Sequence, residues 1–191
     1  MVRSSFHLSA IHHMAAVLFL DFDGVLHPDQ VYITASGPQL RSAGELFMWT
    51  SILEAALDPY PEVKIVLSTS WVRKLGFSRA KKRLSPTLQK RVVGSTWHSS
   101  MAKVWADQIW WDGTSRHGQI LRYAARSGIT QWLALDDDAE NWATADLHRL
   151  VLLDGAEGLS SPAAVAELHR RLAALTLAGR SADADEKLVN I

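Results

Sequence analysis

Residues 15–25 read AAVLFLDFDGV, an apolar run that ends in Asp21, Phe22, Asp23 and Gly24. Six consecutive apolar residues followed at once by polar ones suit a short strand buried on both faces. The same pattern recurs at 63–67 (VKIVL), 131–135 (QWLAL) and 150–153 (LVLL), with a weaker instance at 91–96. Helical patterns lie between these runs. Ser42 and Glu45 form a capping-box pattern ahead of apolar residues at helical spacing, predicting a helix over 42–57. Short helices are expected at 78–84 and 86–91, a longer one over 117–126 ended by Gly128, and one from Asp138 to about residue 148. Ser161 and Pro162 open a last helix. Strands alternating with helices predict an α/β fold, a Rossmann-like doubly wound parallel sheet with helices on both faces.

In such sheets ligands bind at the carboxyl ends of the strands. Asp21 and Asp23 stand at the first of these ends, Ser68 and Thr69 at the second, and Asp136, Asp137 and Asp138 at the third. One carboxylate there could simply cap a helix, but three equipped strand ends are poorly explained in that way. Clustered carboxylates repel one another unless a proton or cation intervenes. Oxygen donors, with no cysteine in the chain, favour Mg²⁺. In extended chain Asp21 and Asp23 point the same way, so one can attack as nucleophile while the other handles the proton. Gly24 permits a sharp turn and close backbone approach to an anion.

These motifs resemble those of the haloacid dehalogenase-like (HAD) superfamily. LFLDFDGVL is similar to its first motif, IVLSTSW to the second and LALDDD to the fourth, over about residues 15–175. The resemblance implies Mg²⁺-dependent phosphoryl transfer through an aspartyl phosphate. Asp21 would be the nucleophile and a metal ligand. Asp23 would be the general acid and then the base for water, with its backbone carbonyl on the metal. Thr69, or Ser68, would bind the phosphoryl group, and Asp136 and Asp137 would hold Mg²⁺. The usual third-motif lysine is absent; Arg116 stands in its place, with Lys103 as runner-up. The resemblance implies a phosphomonoester hydrolase, with a catalytically silent HAD-like binding module as the alternative.

The residues between the first and second motifs leave too little chain for a large cap domain, so an open site is expected. The chain of 191 residues has equal numbers of acidic and basic groups, and no apolar run long enough for a membrane helix. The charge is nevertheless uneven. Residues 63–106 contain ten basic and no acidic residues, and they interleave with Trp71, Trp97 and Trp105. A solvated surface is the plain reading; a positive rim for a nucleotide or nucleic-acid end is the sharper one. His27 is expected to pack in a loop. The absence of cysteine suits a reducing, cytoplasmic compartment. Residues 1–13 read as a leader, 14–178 as the catalytic domain with a small basic insert around 72–112, and 179–191 as a disordered tail.

Overall fold

The computed structural model describes residues 16–189; the leader expected over 1–13 lies outside them. Five parallel strands form the sheet: β1 (Val17–Leu20), β4 (Lys64–Leu67), β5 (Val92–Ser95), β6 (Trp132–Asp136) and β7 (Leu150–Leu152), in the order β5-β4-β1-β6-β7. β1 is central, pairing with β4 at Leu20↔Leu67 and with β6 at Leu20↔Leu135. The residues that follow β1 and β4, and the last residue of β6, therefore meet at one edge of the sheet.

Alternate side chains of each strand enter opposite layers, as the two-residue strand period requires. Leu18, Leu20, Ile65, Leu67, Leu133 and Leu135 face one core with α1 (Thr50–Leu57) and α7 (Pro162–Val189). Val17, Phe19, Val66, Trp132 and Ala134 face the other core, against α6 (Arg116–Ser127). This is the expected α/β sheet with helices on both faces, and no large cap is present among the described residues. Among the described residues no helix is long and apolar enough to cross a membrane.

Several local expectations are corrected. A hairpin of β2 (Val31–Thr34) and β3 (Gly37–Leu40) follows the acidic loop. The capping box at Ser42 does not start α1; the helix begins only at Thr50. Gly44 has φ +111° and Phe47 φ +65°, which no right-handed helix accommodates. Asp138 does not cap a helix. Its Oδ1 accepts the Glu140 N–H in a tight turn, and a 3-10 helix forms later, at Thr144–Arg149.

The basic insert is not a separate body. It comprises α2 (Ser70–Leu75), α3 (Phe77–Lys81), α4 (Pro86–Arg91), β5 of the main sheet, and α5 (Trp105–Asp112). The tail expected to be disordered continues α7 as helix to Val189; Ala184, Glu186, Lys187 and Leu188 all favour that conformation.

Candidate active site

Asp21 directly follows β1 and is 5% exposed. Its Oδ1 accepts the Phe22 N–H at 2.8 Å, and its Oδ2 accepts from Arg116 Nη2 at 3.0 Å. The Thr69 side chain also lies close enough to this carboxylate to help hold its pKa down. Thr69 caps α2, its Oγ1 accepting the Trp71 N–H, whereas the Ser68 hydroxyl is buried without a hydrogen-bond partner. Of the two hydroxyl candidates, Thr69 is thus the one placed against Asp21.

Arg116 is the first residue of α6, behind the Ser115 N-cap. Its Nε lies 3.1 Å from Asp136 Oδ2, close enough for ion pairing but off the line that a hydrogen bond needs. One guanidinium therefore spans the nucleophile candidate and the acid at the end of β6. Lys103, in an exposed 3-10 turn, forms no ion pair among the described residues.

Asp21, Asp136 and Asp137 each offer an oxygen within 4.8 Å of the others. Burial, more than any neighbour, raises the pKa of each above the ordinary carboxylate range. For Asp136 and Asp137 the charge of Asp21 adds to this, and Asp137 is pushed up to about 7. Asp136 Oδ2 is buried with no hydrogen bond. A buried, underbonded oxygen among three converging carboxylates fits a hard divalent cation. Gly24 makes room for the cluster: at φ +66°, a Cβ there would lie 2.1 Å from Asp137 Oδ2. The glycine is needed for that carboxylate as well as for the turn.

A family model described as the HAD domain in Swiss Army Knife RNA repair proteins matches residues 17–164. The chain belongs to that family. No curated protein and no solved structure shows a significant match to it.

In this HAD domain Asp23 is not among the three acids whose oxygens lie within 4.8 Å of one another, although its charge helps to raise the Asp21 pKa. Its Oδ1 accepts from Trp71 Nε1 at 2.8 Å and pairs with His27 Nε2 at 3.2 Å. His27 was expected only to pack in a loop, and Trp71 was grouped with the tryptophans of the basic stretch; neither was expected to bond to Asp23. The turn that places His27 four residues after Asp23 was the available signal. Asp29 was also passed over. Its backbone N–H donates to Gly155 O, and its charge adds to the raised pKa of Asp137.

Proposed function

We propose that the chain is a Mg²⁺-dependent phosphomonoesterase acting through an aspartyl phosphate on Asp21. The observation that carries this reading is Arg116 bridging Asp21 and Asp136 beside the three-carboxylate cluster. Asp21, Asp136, Asp137 and the Asp23 backbone carbonyl would hold the cation, which supplies positive charge to offset that of the phosphoryl oxygens. An Asp21 oxygen attacks phosphorus, and the bond to the leaving alcohol breaks. Asp23 gives its proton to the departing oxygen, which leaves as the neutral alcohol. Asp23 then takes a proton from water, which attacks the acyl phosphate and releases inorganic phosphate and free Asp21. Arg116 and Thr69 hold the phosphoryl oxygens during both steps.

An exposed phosphate on a nucleotide or a nucleic-acid end is the substrate class best supported. Among the described residues no large cap encloses the site. The family description speaks of RNA repair. A cavity of about 630 Å³ runs beside α2, α3 and the edge strand β5, lined by Arg73, Phe77, Arg79, Trp97 and His98. Trp105 is 77% exposed on α5, two residues from Lys103, and offers a face on which a base can stack. The test is hydrolysis of 3′- and 5′-phosphorylated oligonucleotides against free nucleotides and sugar phosphates, with and without EDTA. EDTA-sensitive release from oligonucleotide ends is expected. Absence of release from every substrate would favour a silent binding module.

A further inference from the structure

His27 is fully buried, and both ring nitrogens are engaged. The Phe47 N–H donates to Nδ1 at 3.3 Å, so Nδ1 carries the lone pair. The ring proton then sits on Nε2, which donates to Asp23 Oδ1. The indole N–H of Trp71 donates to the same oxygen. Two N–H groups from elements far apart in the chain thus converge on one oxygen of one carboxyl group. Their placement is fixed by packing. Phe47 lies 4.9 Å from His27 and 5.2 Å from Trp71 between ring centroids, and Phe22 packs 5.1 Å from Phe47. Phe47 itself adopts φ +65°, a conformation costly for a bulky residue. That conformation accompanies the backbone N–H aimed at His27.

An oxygen that accepts two N–H donors has no room for its own proton. Oδ2 receives no such donor among the described residues and is the oxygen left free for proton transfer. We propose that His27 and Trp71 are positioning residues that lock the Asp23 carboxyl and reserve Oδ2 for proton transfer to the leaving oxygen and from water. This rests on Asp23 being the general acid–base of the proposed reaction. His27 and Trp71 touch neither substrate nor cation; they act through Asp23.

Leaving-group dependence tests the proposal. p-Nitrophenol leaves well without protonation, whereas an alkyl alcohol needs the proton. Kinetics of H27A, H27Q, W71F and F47L would be compared on p-nitrophenyl phosphate and on an alkyl phosphomonoester. H27A and W71F are expected to lose about tenfold or more in kcat on the alkyl ester beyond any loss on the nitrophenyl ester, with KM little changed. H27Q, whose amide N–H can donate, should recover part of that difference. F47L loosens the packing that places both donors and should show the same selective loss in smaller degree. W71F leaves His27 in place, so it carries the same expectation if H27A fails to fold. D23N separates the levels of the argument. If D23N shows the selective loss while H27A and W71F lose both activities equally, the positioning role is overturned. If D23N loses nothing on the alkyl ester, or the wild type hydrolyses neither ester, the general-acid reading and the positioning role fall together.

Discussion

Arg116 donates from Nη2 to Asp21 Oδ2 at 3.0 Å, across 95 residues of sequence, and its side chain is only 16% exposed. Burial alone lowers the tendency of the guanidinium to hold its proton, but Asp21 and Asp136 more than compensate, so it stays charged. The same contact partly offsets the burial that raises Asp21. Arg116 is thus electrostatically tied to Asp21, the proposed nucleophile.

Replacing Arg116 separates charge from geometry. R116A leaves two buried carboxylates without their shared cation and removes the proposed phosphate ligand. It should cost about 10²–10³ in kcat and lower the melting temperature. R116K keeps the charge but cannot form the two-pronged contact, so an intermediate loss of about tenfold is expected. Steady-state kinetics on one phosphomonoester check both. Equal activity for R116A and wild type would remove Arg116 from the site.

The raised acids make the cation effect depend on pH. Asp137 has a folded pKa of about 7, above its unfolded value near 4. The protonated form is therefore favoured by folding. Its stability contribution is full below about pH 4 and is lost as pH rises towards and through 7. Asp21 and Asp136 shift in the same direction. Mg²⁺ held by the ionised cluster, as proposed, would offset this loss. The gain in melting temperature on replacing EDTA with Mg²⁺ should accordingly be larger at pH 8 than at pH 5. An equal gain at both would count against a cation site built on these acids.

Gly24 offers a narrower probe. An alanine at φ +66° carries a conformational cost of about 1–2 kcal/mol, and its Cβ would strike Asp137 Oδ2. Asp137 must move or the loop must shift. G24A should weaken Mg²⁺ binding by about tenfold or more in titration calorimetry, a loss of about 1.4 kcal/mol. Unchanged affinity would mean that Asp137 is not a ligand.

Much of this was legible from the chain, for a physical reason. β1, β4 and β6 are buried on both faces, so their sequences read as continuous apolar runs, and the acids beyond them stand out. Ser115 and Gly128 bracket α6 with local capping chemistry that one sequence window contains. The start of α1 was misread because the capping-box residues lie next to Gly44 and Phe47, whose positive φ values depend on tertiary packing. α5 has no side-chain cap at Val104, so its beginning carries no local signal. The bonds to Asp23 were hidden differently. His27 is oriented by Phe47, 20 residues away, and Trp71 arrives from 48 residues away.

Charge in the acid-free stretch bears on substrate size. Arg73 is engaged by Asp112, and Arg91 donates to the Leu57, Tyr60 and Val63 carbonyls, so neither is a free cation. Arg79 and Lys103 have no such partners among the described residues. Doubly substituted R79E/K103E should raise KM for a phosphorylated oligonucleotide several-fold at low salt and leave KM for p-nitrophenyl phosphate unchanged. The oligonucleotide difference should fade as salt rises. A KM for oligonucleotides that is insensitive to both salt and charge reversal would restrict the substrate to small phosphates.

The central claim is that Asp21 carries the phosphoryl group. Rapid mixing with a phosphomonoester and Mg²⁺, acid quenching, and peptide mass spectrometry test it directly. One added phosphoryl group is expected on the peptide containing Asp21, with neither adduct nor turnover in D21N. Sustained turnover by D21N, or a phosphoryl group on another residue, would contradict it.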